Sequence, residues 1–377
     1  MGAQVDLSQR AFGLMSPRQR ESWTYVASLR VRQGMFLGAF IDGRPVGAAI
    51  CHDMLQWWHG RAVPMAGVAS VKVAPEHRGK GIGRQLMTAV LALIAERGYP
   101  LSALFPATMP LYRSLGWELA GSKYEAAVPA AEAEVRRAGP DDAAEVTAII
   151  GRTHETARDS GPLTWDPSPA ARWLDRDDMY AYLTSDGFAA YRWDGGGKGL
   201  FVERVHGASA QTLRALWSVI ASHASIAATV RVQIAPGDPL WWLTHERDAA
   251  ITKRSMWMLR VVDAQAAIEA RGFPAGVSVS VPLLINDDTR PANTGRWRLT
   301  VSDGKGMLIP NESGILSPAQ PDSGTALTLG ARGLAALYGG APVATLRLAG
   351  VAAGGSPETD AALDAAFAAT AFMVDDF

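Results

Sequence analysis

A single cysteine, Cys51, stands in 377 residues, which excludes an internal disulfide and any multi-cysteine zinc site. It lies in the apolar run Val46–Cys51, the setting of a buried structural thiol rather than a nucleophile. No apolar run approaches the roughly 20 residues a membrane span needs. The first residues lack a charged segment followed by an apolar core, so neither a span nor a signal peptide is expected and a cytoplasmic protein is the default. Neither sign of charge dominates: 36 Lys and Arg face 37 Asp and Glu, with no long basic run. That balance argues against a nucleic-acid groove or a polybasic membrane patch. No His, Cys or Asp cluster has metal-ligand spacing, so no metal is expected. What remains is a globular composition, 48% hydrophobic and 19% charged. The chain is too long for one core, so two or three domains are expected.

The periodicity sorts into three blocks. In the first, Ser16 and Pro17 predict a helix over 16–30, with Arg20 and Glu21 opening a mixed face. "MFLGAFIDGRPVGAAICHD" (35–53) predicts a hairpin around Asp42-Gly43. "AGVASVKVAP" (66–75) predicts a strand. Leu86, Val90, Leu93 and Ile94 make one stripe of a helix over 83–98. A short strand (100–107), a short helix (108–116) and a closing strand (117–128) follow. The second block, from 134, predicts a strand, an acidic-start helix, a Pro- and Asp-rich loop over 161–169, and a strand pair within 186–205. A helix over 209–224, "TVRVQIAP" (229–236) and "MWMLRVVDAQAAIEARG" (256–272) complete it. Its element order repeats that of the first block, which reads as an internal duplication. The third block, from about 276, predicts strands in "VSVSVPLLIND", "GRWRLTVSDGKGMLIP" and "TALTLGARGLAALY". "ATLRLAG" comes next, and a final helix from Pro357 runs almost to Phe377.

One stretch of the first block carries chemistry. Between a strand and a helix, Arg78-Gly79-Lys80-Gly81-Ile82-Gly83 packs three glycines and two cations into six positions. Glycines let a backbone come close to a ligand, and the following helix N-terminus offers unpaired N–H groups and a favourable dipole to an anion. Arg78, Lys80 and Arg84 add positive charge. No Gly-Lys-Ser/Thr ends the loop, so it is not a Walker A element. Gly79-x-Gly81-x-Gly83 also lacks the final x-x-Gly of a dinucleotide fingerprint. Taken alone, the stretch fits a solvated glycine loop as well as an anion site.

In context, Val71-x-Val73-x-Pro75-x-x-Arg78-Gly79-x-Gly81-Ile82-Gly83 resembles the acetyl-CoA motif of GCN5-related N-acetyltransferases. The resemblance implies that Arg78, Gly79, Lys80, Gly81, Ile82 and Gly83, with Arg84, hold the coenzyme A pyrophosphate. It implies that the backbone of Val71 and Val73 holds the pantetheine arm and thioester. "RGYPLSALFPATMPLYRSLGWELA" (97–120), "GFAAYRWD", "GDPLWWLTHERDA", "LRVVDAQAAIEARGF" (259–273) and "LDAAFAATAFMVDDF" resemble the Eis-type members, named for enhanced intracellular survival. That implies an α+β chain of two tandem GNAT-like mixed-sheet domains, residues 1–128 (catalytic) and 129–275 (degenerate). A sterol-carrier-protein-like α+β domain at 276–377 follows. Two departures stand out. Only nine residues precede "RAFG" (Arg10–Gly13), so the family's first strand is missing or the start is misassigned. "VERVHGASAQTLR" replaces a pyrophosphate loop in the second block, so no second acetyl-CoA is expected there.

The resemblance also implies roles. Tyr112 becomes the general acid for the leaving thiolate, where the residues alone favour core packing with a satisfied hydroxyl. The terminal carboxylate of Phe377 becomes the base, although an α-carboxyl has an intrinsic pKa near 3.5 and chain ends usually fray. A homohexamer and an acceptor among aminoglycosides, polyamines and lysine side chains follow by the same route. Two alternatives stand beside this: a lipid- or small-molecule-binding protein with a vestigial first domain, and an N-acetyltransferase of secondary metabolism with a dedicated small amine. His77 reads as a loop or capping residue. His52 and His59, with Trp57 and Trp58, fit an acceptor pocket, a core or an interface. Trp241 and Trp242 fit pocket or interface surface.

Overall fold

A computed structural model of the chain describes residues 2–127, 135–194, 199–223, 226–227, 229–243, 251–311 and 326–375. No strand precedes Arg10 among them. Gly2–Phe12 form helix α1, whose Val5 and Leu7 are buried. Helix α2 (Pro17–Arg32) starts where Ser16 and Pro17 place it. Ser16 Oγ accepts the Gln19 N–H at 3.2 Å, and Gln19 Oε1 accepts the Ser16 N–H at 2.9 Å, a reciprocal capping box. Strands β1 (Phe36–Ile41) and β2 (Arg44–Trp58) meet through Asp42 and Gly43, at φ 48° and 72°, the geometry of a type I′ hairpin turn. Strand β3 (Arg61–Val73) begins five residues before the expected start. His59 and Gly60 make a second turn of the same kind, at φ 48° and 75°, with a residue pair that signals a turn more weakly than Asp-Gly. Helix α3 (Ile82–Glu96) buries Leu86, Met87, Val90, Leu91 and Ile94. Strand β4 (Leu101–Leu104), helix α4 (Met109–Arg113) and strand β5 (Glu118–Ala127) complete this part.

The second part holds β6 (Arg136–Ala138), α5 (Ala143–Ala157), β7 (Ser160–Thr164), α6 (Pro167–Leu174), β8 (Tyr180–Leu183), β9 (Gly187–Trp193) and β10 (Gly199–Gly207). It continues with α7 (Ala210–Ala221), β11 (Thr229–Ile234), α8 (Leu240–Leu243), β12 (Lys253–Val261) and α9 (Ala264–Ala270). The expected loop over 161–169 is instead strand β7 and the start of α6. Pro162 is tolerated because β7 pairs only with the end of β2, an edge position that does not need its missing N–H. Pro167 occupies the first turn of α6 behind Asp166, where a proline starts a helix rather than breaking it.

All these strands form one twelve-stranded sheet in the order β1-β2-β3-β4-β12-β5-β11-β10-β9-β8-β6, with β7 on β2. Two placements are non-local. Strand β12 lies antiparallel between β4 and β5, with Met258 opposite both Leu104 and Leu119. Strand β5 in turn pairs with β11, Tyr124 opposite Ile234. Each part thus lends the other a strand.

The third part is a five-stranded sheet, β15-β14-β13-β16-β17, built from β13 (Val279–Asn286), β14 (Gly295–Ser302), β15 (Lys305–Pro310), β16 (Leu327–Gly330) and β17 (Ala352–Gly354). Helices α10 (Ala331–Tyr338), α11 (Val343–Leu348) and α12 (Pro357–Phe367) accompany it. The stretch read as strand from 325 to 338 is strand only to Gly330. Residues Gly333–Tyr338 are all buried, and a segment buried all round loses the periodicity that separates helix from strand. Trp58, Trp257, Leu283 and Phe367, from all three parts, share one core.

The final helix does not reach the chain end. It stops at Phe367, and Ala368 turns extended (φ −47°, ψ 118°). The following segment lies between β5 and β7. The Phe372 N–H donates to Ser160 O at 3.0 Å, and Phe372 bridges Ser122. Glycine is required on both flanks. A Cβ at Gly121 would lie 2.3 Å from Ala371 O, and one at Gly161 2.3 Å from Phe372 O.

Candidate active site

Strand β3 opens the site. Its register with β2 slips between Ala69 and Lys72, and Ser70 sits at φ 51°, a bulge that bends the strand. It pairs with β4 only over Met65–Gly67. From Val68 to Val73 it has no strand partner on that side among the described residues, so backbone N–H and C=O groups are left for another partner. Side chains alternate. Val71 packs against the core beneath α3, and Val73 Cγ2 comes within 3.7 Å of where a Gly83 Cβ would stand. Lys72 points the other way, buried, with its ammonium on Ser8 Oγ and 4.3 Å from the centre of the Trp23 ring. Burial lowers its pKa to about 8.

After the single turn Pro75–His77, the loop reaches α3 through Gly79 at φ 77° and Gly81 at φ 78°. A Cβ at either would meet nothing within 4 Å, so the backbone angle, not crowding, demands glycine there. Gly83 takes helical angles, and its nearest would-be neighbour is Leu111 Cδ2 at 3.6 Å. Nothing within the protein excludes alanine at that position. No side chain caps the N-terminus of α3. Arg78, Lys80 and Arg84 are exposed around it, and Ile82 is half-buried. Arg78 Nε donates to Val73 O at 3.3 Å, and Arg84 Nη1 to Ser114 Oγ at 2.9 Å. An open, uncapped helix N-terminus behind positive-φ glycines, ringed by cations, fits a pyrophosphate.

The second part contains the same bulged, half-unzipped pair. Strand β10 slips against β9 between Val202 and Arg204, and it pairs with β11 only as far as Val202. There the N-terminus of α7 is already served. Ser209 Oγ accepts the Thr212 N–H at 3.1 Å, and Thr212 Oγ1 donates to Asp186 at 2.7 Å. A carboxylate and an internal cap stand where α3 is bare.

Tyr112 lies on α4, 5% exposed, in one core cluster with Leu86, Met87 and Trp117. Burial raises its phenol pKa, so the hydroxyl stays protonated through the neutral range. Three contacts hold α4 and the turn after it. Arg84 reaches Ser114, as above. Buried Arg260 of β12 donates Nε to Leu115 O at 3.0 Å and both bonds of Nη2 to the Asp287 carboxylate at 2.7 and 2.6 Å. Glu118 accepts from Arg113 Nη2 at 2.8 Å, the Leu119 N–H at 2.9 Å and Arg332 Nε at 2.6 Å. Burial would raise the Glu118 carboxyl, but these donors hold it below its ordinary range.

The chain end meets a cavity of about 430 Å³ whose lining includes Trp165, Trp173, Phe201, Glu203, Lys253 and Asp375. Asp375 Oδ1 accepts from Trp165 Nε1 at 2.9 Å and pairs with Arg204. Phe377 lies outside the described residues. The structure therefore gathers Val71, Val73 and Arg78–Arg84 at one mouth, with Tyr112 on the helix tied to α3.

The remaining candidates separate. Trp58 is core, 4.8 Å from the Tyr338 ring centre, which excludes pocket and interface alike. Trp57 is half-buried and donates to Thr164 Oγ1 at 2.7 Å. His59 belongs to the turn at the opposite end of β3 from Val73. His52 Nδ1 lies 3.4 Å from Arg30 Nη2, and burial and that guanidinium push its pKa down to about 4. Trp241 is half-buried and Trp242 is 76% exposed. Sequence reasoning missed Arg260, Asp287, Trp165 and Asp375. Each acts through a partner more than 25 positions away, and no short motif records that. No group of His, Cys, Asp or Glu among the described residues could hold a metal ion, and no helix among them is long and apolar enough to cross a membrane.

Comparison with known proteins agrees with this geometry. Residues 1–120 and 160–261 each match an acetyltransferase (GNAT) domain, and residues 264–374 match a sterol carrier protein domain. A GCN5-related N-acetyltransferase from Kribbella flavida is 43% identical and superposes with a TM-score of 0.94, covering 100% of this chain and 95% of that one. One from Anabaena variabilis is 27% identical, with a TM-score of 0.87 over 99% and 97% of the two chains. The N-acetyltransferase Eis of Mycobacterium tuberculosis is 29% identical over 322 residues, 78% of each chain.

Proposed function

The chain belongs to the GCN5-related N-acetyltransferases, with the Eis-type succession of two such domains and a sterol-carrier domain. From that premise we propose that residues 1–128 transfer acetyl from acetyl-CoA to a primary amine, with a degenerate domain at 129–275 and a third at 276–377. The observation that carries the reading is the uncapped N-terminus of α3 behind Gly79 and Gly81, beside the unpaired half of β3. Acetyl-CoA supplies the activated thioester. Arg78–Gly83 and Arg84 hold its pyrophosphate, and the Val71 and Val73 backbone holds the arm. Gly83 supports this, since the protein alone gives no reason for glycine there.

Tyr112 gives its proton to the leaving sulfur, and burial supports that by keeping the phenol protonated. The Phe377 carboxylate orients the amine and takes its proton. The anchoring of the chain at Phe372 and Asp375 supports this role, because it fixes the described chain two residues before Phe377. Aminoglycosides, polyamines and lysine-type amines form the acceptor set. In this reading the enzyme is cytoplasmic and assembles as a homohexamer, with exposed Trp242 a candidate contact.

Gly81→Val tests the donor site. A β-branched residue at φ 78° is strained, so coenzyme A affinity measured by calorimetry should collapse while the fold survives. Unchanged affinity removes the loop from the site. Adding a few residues after Phe377 tests the base. The extension turns the α-carboxylate into an amide and moves the new charge by about 3.5 Å per residue. Turnover should drop strongly, with acetyl-CoA binding kept. Equal turnover of intact C-terminally and N-terminally tagged enzyme would show that the terminus takes no part.

A further inference from the structure

Helix α4 carries Tyr112 but has little of its own to fix it. It spans only Met109–Arg113, no side chain caps it, and Ala107 and Thr108 before it are exposed. A single turn has little stability by itself. Among the described residues nothing hydrogen-bonds the Tyr112 hydroxyl, so ring packing and backbone place that oxygen. Packing sets the depth of the ring, and the tilt of the turn is set by what holds residues 113–118.

That hold centres on Glu118, whose side chain is 8% exposed and whose two oxygens face different parts of the chain. Oε1 accepts from Nε of Arg113, the residue after Tyr112, at 3.0 Å and from its Nη2 at 2.8 Å. Oε2 accepts from Arg332 Nε at 2.6 Å and lies 2.6 Å from Arg332 Nη2. Arg332 is the second residue of α10, within the region that matches a sterol carrier protein domain. Its neighbour Ala331 closes on the same turn. A Cβ at Gly116, which sits at φ 88°, would lie 2.7 Å from Ala331 Cβ. Forked guanidinium pairs of this kind fix orientation as well as distance. Without Arg332, Oε2 is left bare in a nearly buried place, and the carboxylate turns toward water or toward Arg113 to recover hydrogen bonds. Either turn disturbs the Arg113 fork.

We propose that the sterol-carrier part positions the general acid, with Arg332 a positioning residue that acts on Tyr112 through Glu118 and Arg113. The inference rests on the transferase reading above and on Tyr112 as its acid. It gives the third part a role in the chemistry of the first that is separate from the terminal carboxylate.

The test is a double-mutant cycle on the full chain, Arg332→Met against Tyr112→Phe. Thiol release from acetyl-CoA is followed with tobramycin, spermine and a lysine peptide as acceptors. Arg332→Met should lower kcat by about 10- to 100-fold, the cost of displacing a catalytic group by about 1 Å. The KM for acetyl-CoA should stay within about threefold, because the Arg78–Gly83 loop is untouched. Arg332→Lys keeps a cation on Oε2 without the fork and should recover part of the loss. In Tyr112→Phe the Arg332→Met change should alter kcat by less than about twofold, because the group it positions is gone. An unchanged kcat in Arg332→Met overturns the positioning role, as does a loss that repeats in full in Tyr112→Phe. Near-parent turnover of Tyr112→Phe instead overturns the general-acid reading, and the inference with it. No thiol release from the unmodified enzyme with any of the three amines overturns the transferase reading itself.

Discussion

Tyr112→Phe is expected to lower turnover by about 10²- to 10⁴-fold, the contribution of a positioned general acid, while acetyl-CoA binding stays near its original value. The substitution removes one oxygen and keeps the ring that packs with Leu86, Met87 and Trp117, so the core loses little volume and the fold is retained. Coenzyme A thiolate leaves poorly without a proton, and the lost hydroxyl is the group assigned to supply it. Steady-state kinetics with saturating acetyl-CoA reads the effect. Turnover within a few-fold of the unmodified enzyme would reduce Tyr112 to packing. The pH profile adds a second check. Burial moves the phenol above its ordinary value near 10, so ionisation of Tyr112 should cause no alkaline loss of activity through pH 9. An alkaline limb below that, retained in Tyr112→Phe, would belong to another group.

The largest expected stability change is at Asp287. Arg260 and Asp287 both have side chains with 0% exposure, and their pairing joins β12 to the end of β13. Asp287 also accepts from Asn293 Nδ2 at 2.9 Å and the Arg290 N–H at 3.0 Å. Asp287→Ala strips those donors and strands a guanidinium in the interior, which costs about 3–5 kcal/mol. Denaturant unfolding reads the loss, and a change under about 1 kcal/mol would mean that water or another group replaces the carboxylate. Removing both charges, Arg260→Met with Asp287→Leu, should recover much of the stability, because no unpaired charge is then left inside. Activity should separate the double variant from the parent in another way. Arg260 Nε also holds Leu115 O, three residues after Tyr112. The double variant, which removes Arg260, should therefore lose kcat more than acetyl-CoA affinity.

By itself the sequence determined what is local. The capping box at Ser16, the Asp42-Gly43 turn, the apolar stripe of α3 and the Arg78–Gly83 loop each depend on residues within a few positions of one another. Short-range sterics and hydrogen bonding settle such features. The family resemblance extended this to the order of domains, which reads along the chain as well. Only the tertiary structure decided what depends on distant partners. Nothing in "KRSMWMLRV" tells that β12 leaves its own part to lie between β4 and β5, because a strand carries its period but not its neighbour. Helix α12 stops at Phe367 although the following "AATA" suits a helix. The gain from burying Ala371, Met373 and Val374 between β5 and β7 outweighs a propensity difference of a few tenths of a kcal/mol per residue. Pro162 and Pro167 look like loop punctuation until an edge strand and a helix start receive them. The Arg260–Asp287 pair is what it is only because folding removes water from around it, and that desolvation is a property of the assembled core.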